Sequence, residues 1–396
     1  MKSLLWYLVT YPLLVILMIS LTGASSATIH DAAGYLETAR ALAPNPFSVF
    51  ANPSPSFIDQ GYPFLLAVLS HIVPLENITF YQVVNYLFWA LSSLYVYKSL
   101  VSLKIPHSKF YGLLMLYSPL FLSFSAKLYS EPMSALGVSL LIWGVVSGGV
   151  VALALGTFLL VTVKSLFFPG VVLLALYYLY KRKRAIFVGT SAGLLISLPI
   201  VLSSYQGSRS LYNRAIQVSK TNQTYAQILS CSPYYISYPL GLALLPSYQG
   251  VCHQNDPTSS MPGYESNPYV MAEELRNNGF SNQDWIKMIL ANPLKYLLVM
   301  LVSLDNFLLF EGLYPTIITI LPPLLMLPLF LLTRIILSLY LWYKVLGTGN
   351  ISLRLLLPFF YLFFTVAHFQ VEPRYIYPLI PYIYFLAGLR HNKVKL

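Results

Sequence analysis

One acidic residue stands where a long apolar segment ends. The stretch TIHDAAGYLETAR, residues 28–40, follows a run of roughly twenty apolar residues, the length of a membrane-crossing helix. Asp31 begins a segment with helical apolar spacing, so its carboxylate can serve as an N-cap that accepts a hydrogen bond from the first turn. A carboxylate that instead faces a cavity at a membrane surface is a candidate general base. The residues alone leave both interpretations open.

Two further charged residues lie at the ends of apolar segments. Glu131 sits between Ser130 and Pro132, a pattern typical of a helix start with Ser130 as the N-cap, and an acid there stabilises the helix dipole. Lys164 lies where two apolar segments meet, and its long side chain can extend from there to water. Together with Ser165 it could equally hold a lipid phosphate at the membrane surface.

The arginines indicate an anionic partner. Arg374 stands in the first turn of the last apolar segment, where the helix dipole disfavours a cation. Its partner is then either Glu372 or an external phosphate, which a guanidinium binds in bidentate fashion. Arg209 and Arg214 follow another apolar segment on the same side, either as ordinary loop charges or as further cations for that anion.

Metal and disulfide chemistry are weakly indicated. His368 and Glu372, four residues apart, could supply two metal ligands, but no third ligand is apparent, so no metal site is predicted. Cys231 and Cys252 lie in one long polar stretch, which favours a disulfide in an oxidising compartment over two free thiols.

Composition predicts the elements that must position these residues. Of the 396 residues 57% are hydrophobic and 9% are charged, against about 25% charged in soluble proteins. A chain with apolar segments along its whole length is predicted to be an all-α polytopic membrane protein, one domain over residues 1–396. We expect about ten transmembrane helices, within a range of roughly 10–12, over residues 3–22, 80–98, 109–126, 132–147, 150–164, 165–180, 185–203, 314–343, 352–370 and 373–389.

Two extracytoplasmic segments are predicted, over residues 23–79 and 204–313. Within the first, residues 61–73 are too few to cross a bilayer and favour an interfacial helix. Residues 292–310 favour an interfacial or re-entrant segment. Around residues 149–180, Lys164, Pro169 and Gly170 form a polar, helix-breaking turn, so we expect two spans there and not one kinked helix.

The charges separate between the two faces of this topology. The short basic clusters lie on the cytoplasmic side, as the positive-inside rule requires, and every Asp and Glu lies outside or at the outer interface. The net charge of +11 is therefore an orientation signal and does not indicate a nucleic-acid partner. Both termini are predicted to be cytoplasmic, and any chemistry is expected on the outer face.

Taken in chain order, the motifs resemble the GT-C superfamily of membrane glycosyltransferases. They are Asp31 with Tyr35 and Ala39 in helical register, GYPFLLA at 61–67, SEP at 130–132, the short span that ends at Lys164, and RYIYPLIPYIYFLAGL at 374–389. The nearest branch contains the protein O-mannosyltransferases and the lipid A aminoarabinose transferase. The resemblance covers the whole chain, and it lies in the order and common sidedness of short motifs.

The resemblance implies an enzyme that transfers a monosaccharide from a polyprenyl-phosphate carrier to a glycan, lipid or protein outside the cytoplasm. Asp31 would match the family's first-loop aspartate, which activates the acceptor. His30 precedes it here, whereas the O-mannosyltransferases have a paired Asp-Glu. A second acid would come from Glu131, Asp59 or Glu37, the donor phosphate would be held by Arg374, Lys164 and Arg209, and the substrate pocket would be lined by Tyr35, Tyr62 and Tyr375.

A single base with in-line attack predicts inversion of the anomeric centre. The expected setting is a bacterial inner membrane with the site facing the periplasm or exterior, and no metal cofactor is called for. A lipid-linked glycan ligase or polymerase is the nearest alternative, since it uses the same carrier. A secondary transporter is a further alternative, although the inverted repeats and midplane ionisable groups of that class are not visible.

Overall fold

A computed structural model describes residues 2–28, 31–51, 59–206, 287, 290, 291, 293, 332–347 and 377–389. All regular structure in these residues is helical, which confirms the all-α prediction for the described part of the chain. The helices are α1 Lys2–Ala27, α2 Asp31–Leu42, α3 Ser48–Ala51, α4 Gly61–Leu69, α5 Ile78–Ser102, α6 Ser108–Leu116, α7 Pro119–Ser125, α8 Glu131–Ser147, α9 Val150–Val163, α10 Phe168–Tyr180, α11 Arg184–Gln206, α12 Ser338–Leu346 and α13 Ile380–Gly388.

The predicted single span over residues 109–126 is wrong, because the chain forms two short helices there. α6 ends at Leu116, and α7 begins at Pro119. Proline lacks the N–H that would continue the helix and disfavours helical geometry in the residue before it. Ser118 accordingly has φ −55° and ψ 123°, which breaks the helix.

The predicted break within residues 149–180 is confirmed. α9 ends at Val163, Lys164 is non-helical with φ −139° and ψ 81°, and a short 3₁₀ turn over Ser165–Phe167 leads into α10. α11 then runs parallel to α9, with Gly189 against Leu153 and Gly193 against Thr157. α10 must therefore run back along the bundle between the end of α9 and the start of α11.

Helices α8 and α9 are antiparallel and pack backbone against backbone. A Cβ atom added to Gly156 would lie 2.8 Å from the carbonyl oxygen of Gly137. α5 runs parallel to α8 on its other side, where the hydroxyls of Ser92 and Ser139 lie 2.5 Å apart. This close packing aligns the start of α8 with the end of α9.

One hydrophobic core joins α2 and α4 to α13, and α1 packs in a second cluster with Tyr86, Leu122 and Ala126. Trp89 of α5 stacks on Phe121 of α7, and the ring of Tyr377 contacts Phe121 in turn. The Tyr377 hydroxyl donates a hydrogen bond of 2.9 Å to the Leu120 carbonyl. The C-terminal helix α13 thus belongs to the same core as the N-terminal half of the chain.

The acids and the basic clusters of residues 2–206 lie at opposite ends of this bundle. The acids of residues 2–206, namely Asp31, Glu37, Asp59, Glu76 and Glu131, all lie towards one end. We call one region at this end the polar end. It comprises the start of α2 and residues 59–62, 82–85, 126–131 and 162–165. The basic residues 98, 104, 109 and 181–184 lie at the opposite end, in agreement with the predicted segregation of charge.

One helix in the described part of the chain, over Arg184–Leu202, has the length and apolar composition needed to cross a membrane. Other apolar helical stretches in the described residues are shorter: Thr10–Gly23, Glu131–Ser147, Val150–Val163, Phe168–Tyr180 and Ile335–Leu346.

Candidate functional site at the polar end

Buried charged side chains gather at the polar end. Asp59, Lys127, Glu131 and Lys164 are each at most 8% exposed. Charged residues are almost never this buried unless they are paired or functional, because removing a charge from water is costly. Four of them at one end of a bundle mark that end as the candidate site.

Glu131 and Lys164 form a buried ion pair. The Nζ of Lys164 lies 3.2 Å from Oε1 of Glu131, and the glutamate is 1% exposed. Glu131 begins α8 and Lys164 follows α9, so the close packing of these antiparallel helices brings the two residues together. The proposal that Lys164 extends to water is wrong, because its side chain is directed to this carboxylate in the protein interior.

The second oxygen of Glu131 differs from the first. Oε2 is buried and has no hydrogen-bond partner among the described residues. A carboxylate oxygen buried without a donor carries a desolvation cost, which a bound hydrogen-bond donor would relieve.

Asp59, which lies just before α4, joins this cluster of charged residues. Its Oδ2 accepts a hydrogen bond of 3.2 Å from the backbone N–H of Ser165, the residue after Lys164. Directly after Asp59 the chain approaches α9 closely, since a Cβ on Gly61 would lie 2.6 Å from the backbone carbonyl carbon of Thr162. A glycine at position 61 therefore lets α4 dock against the end of α9.

Helix α2 brings Asp31 to the same region. The helix begins at Asp31, and only the backbone of this residue lies within the described structure. Just before it, the Ala27 carbonyl accepts a hydrogen bond of 3.1 Å from the Leu128 N–H. One turn after it, the Tyr35 hydroxyl lies 3.1 Å from Oγ of Ser130. The start of α2 therefore lies beside the turn that leads into α8.

Ser130 does not act as the predicted N-cap of α8. Its side chain makes no capping hydrogen bond, and its Oγ pairs with Tyr35 instead. The sequence pattern of Ser130, Glu131 and Pro132 indicated the helix start correctly, since Pro132 stands in the first turn. The partner of Ser130 comes from 95 positions earlier in the chain.

Tyr62 connects α4 to α5 next to the contact between Tyr35 and Ser130. Its hydroxyl donates a hydrogen bond of 3.0 Å to Oδ1 of Asn85, and its ring meets that of Tyr35 edge-on at 5.3 Å between centroids. Burial raises the pKa of the Tyr62 phenol, so the group remains a protonated donor at physiological pH. The Nδ2 of Asn85 then donates to the carbonyls of Lys127 and Tyr129 at 2.7 and 3.2 Å.

Lys127 is a site residue that the sequence interpretation missed. It is 2% exposed, and its Nζ lies 5.5 Å from the centroid of the Tyr129 ring. The side-chain amides of Gln82 and Asn85 hold its turn by donating hydrogen bonds to backbone carbonyls. A signal was present in the motif KLYSEP, where a lysine stands four residues before Glu131 between two apolar segments.

The structure brings together most of the candidates that it describes. Asp31, Tyr35, Asp59, Tyr62, Glu131 and Lys164 converge at the polar end, whereas Glu37 is exposed on α2. Arg374, Arg209, Arg214, Tyr375, His368, Glu372, Cys231 and Cys252 lie outside the described residues, as does nearly all of residues 204–313. Among the described residues no group of three His, Cys, Asp or Glu side chains is placed to hold a metal ion.

The polar end combines groups for acid–base and anion chemistry. It offers the buried carboxylates of Asp59 and Glu131 and two buried lysines, surrounded by hydroxyl and amide groups. Carboxylates can accept protons or bind hydroxyl groups, and buried cations stabilise anionic ligands or leaving groups. No protein-family model matches the chain, and no curated protein or solved structure matches it either.

Proposed function

We propose that this protein is a polytopic membrane glycosyltransferase that uses a polyprenyl-phosphate-linked monosaccharide as donor. The observation that carries the proposal is the buried cluster of Asp59, Glu131 and Lys164 beside the start of α2, where Asp31 stands. It contains the two kinds of group that transfer from a lipid phosphate requires, namely a carboxylate base and a cation.

The membrane setting of this proposal is supported by the outer surface of the helices. Large apolar side chains are exposed on α1, α10 and α11, such as Leu17, Leu176 and Leu195. Side chains of this kind on several helices suit contact with lipid and are unfavourable in water. The bundle of about ten spans, with both termini in the cytoplasm and the polar end outside, is part of the proposal.

The reaction is a displacement at the anomeric carbon of the donor sugar. Asp31 takes the proton from an acceptor hydroxyl, whose oxygen forms a bond to the anomeric carbon. The bond from that carbon to the phosphate oxygen breaks, and polyprenyl phosphate leaves with both electrons. Lys164 and Arg374 stabilise the phosphate, with Arg209 as a further candidate cation, and Lys127 adds positive charge at the same end.

The stereochemical prediction is inversion at the anomeric centre. One base and an in-line attack give an inverted product, whereas retention requires a second carboxylate as nucleophile close to the first. The measurement is the anomeric configuration of the product by NMR. A retained configuration would contradict the single-base mechanism and would indicate a carboxylate such as Asp59 or Glu131 as nucleophile.

The experiment that tests the function uses purified full-length protein in lipid nanodiscs. It is given radiolabelled polyprenyl-phosphate monosaccharides together with a membrane extract as a source of acceptors. We expect release of label from the carrier lipid and its recovery in a glycan, lipid or protein. Transfer from polyprenyl-pyrophosphate oligosaccharides alone would instead assign the protein as a ligase or polymerase.

A further inference from the structure

We infer that Glu131 is the residue that recognises the donor sugar, through the hydroxyl on the ring carbon next to the anomeric carbon. This inference rests on the proposed function. It assigns to Glu131 a specificity role that is distinct from the proton transfer assigned to Asp31.

The two oxygens of Glu131 support different roles. Oε1 lies 3.2 Å from the Nζ of Lys164, while Oε2 is buried with no hydrogen-bond partner among the described residues. The carboxylate of an ion pair with a lysine ammonium accepts hydrogen bonds and donates none. Oε2 is therefore suited to a ligand that donates one, as a sugar hydroxyl does.

The geometry of the pair fits two adjacent groups of a glycosyl phosphate. In such a donor the phosphate oxygen on the anomeric carbon and the hydroxyl on the next ring carbon lie within hydrogen-bonding distance of each other. Lys164 and Glu131 are similarly close, so the lysine can approach the phosphate while the glutamate accepts from the hydroxyl. A carrier phosphate without a sugar would engage only the lysine.

The surroundings of Glu131 make the position precise. It begins the 17-residue helix α8, its neighbour Ser130 is held by Tyr35, and Asn85 holds the preceding turn through two backbone carbonyls. A hydrogen bond to a charged group changes affinity by roughly 10-fold or more. Glu131 held in this way can thus distinguish a donor with the hydroxyl from one without it.

The test compares ligands that differ in this one hydroxyl. Polyprenyl-phosphate glucose and polyprenyl-phosphate mannose differ only at that carbon, so one 2-deoxy compound serves as the control for both. Binding of the glucose, mannose and 2-deoxy compounds and of polyprenyl phosphate alone is measured by competition against tritiated polyprenyl phosphate. The proteins compared are wild type, Glu131→Gln, Glu131→Asp and Glu76→Gln. Glu76 is an exposed acid at the same end of the bundle, but it is not among the residues that form the polar end, and it provides the matched control.

We expect wild type to bind one of the hydroxylated donors at least about 10-fold more tightly than the deoxy compound, as the energy of one such hydrogen bond requires. In Glu131→Gln this ratio falls to less than about 3-fold, while polyprenyl phosphate alone binds no more weakly than to wild type. Glu131→Asp retains part of the ratio, and Glu76→Gln retains all of it. Retained binding of the bare carrier shows that each variant is folded.

Four outcomes would overturn the inference, and they separate its failure from the failure of the proposed function. Equal binding of hydroxylated and deoxy donors to wild type, an unchanged ratio in Glu131→Gln, or loss of all binding in that variant and in Glu131→Asp would remove the role of Glu131 and leave the proposed function standing. If neither the carrier phosphate nor any donor binds to wild type, the proposed function fails, and the inference fails with it.

Discussion

At the scale of single residues, the ion pair of Glu131 and Lys164 is the feature that most constrains the site. Both side chains are buried, and each charge compensates the other. Breaking such a pair is costly because it leaves one charge uncompensated in the interior, whereas replacing both partners by neutral groups can be nearly neutral.

This asymmetry predicts the stability of a single and a double variant. Lys164→Met should lose about 3–5 kcal/mol of unfolding free energy, and Glu131→Gln combined with Lys164→Met should recover a large part of that loss. The measurement is chemical unfolding in detergent micelles, with the exposed Lys183→Met as control. Additive losses in the double variant would show that the two side chains do not depend on each other.

The sequence singled out several residues of the candidate site but not their partners. Lys164 was recognised as a cation at the end of a span, yet its burial depends on α8 and α9 packing through Gly137 and Gly156. The burial of Lys127 likewise depends on Asn85, which is far from it in sequence. Local patterns contain no information on such contacts, since they arise only when distant segments pack.

At the scale of elements, the docking of α4 against the end of α9 positions Asp59 and Tyr62. Asp59 immediately precedes α4 and binds the Ser165 N–H, and Tyr62 is the second residue of the helix. The close approach occurs at Gly61, where there is no room for a side chain next to Thr162.

A larger residue at position 61 should therefore separate α4 from α9. Gly61→Val is expected to lose about 1–3 kcal/mol of stability, as overpacking typically costs, and to weaken donor binding through displacement of Asp59. Gly149→Ala serves as control, because its added Cβ would lie 3.2 Å from the flexible Ser147 hydroxyl and at an ordinary contact distance of 3.7 Å from the Ala152 Cβ. Wild-type stability and binding in Gly61→Val would show that α4 does not dock as described.

Helix boundaries were predictable where helix-breaking residues are concentrated and less so where apolar residues conceal a break. Lys164, Pro169 and Gly170 together indicated the turn between α9 and α10, which the structure contains. The break at Ser118 was missed because a single proline, Pro119, lies within an otherwise continuous apolar stretch. Its effect on backbone geometry outweighed the hydrophobic pattern.

At the scale of the whole molecule, the separation of charge along the bundle predicts its orientation. The acids of residues 2–206 lie towards the polar end and the basic clusters lie at the other end. With the positive-inside rule, the polar end is expected to face away from the cytoplasm.

Cysteine labelling on intact cells tests this orientation. In a variant with Cys231 and Cys252 replaced by serine, Glu76→Cys should react with an impermeant maleimide, and Lys183→Cys should react only after the membrane is opened. Both positions are exposed in the structure, so access to solvent within each compartment is not limiting. Reaction of both positions on intact cells would contradict the alternating topology.

The central claim is that Asp31 at the polar end deprotonates the acceptor of a sugar delivered on polyprenyl phosphate. The most direct measurement is the rate of label transfer by Asp31→Asn beside its binding of the donor, with Glu76→Gln as control. We predict a rate lower by about 10²–10⁴-fold, as loss of a general base requires, with donor binding close to wild type. Wild-type turnover by Asp31→Asn would contradict the account.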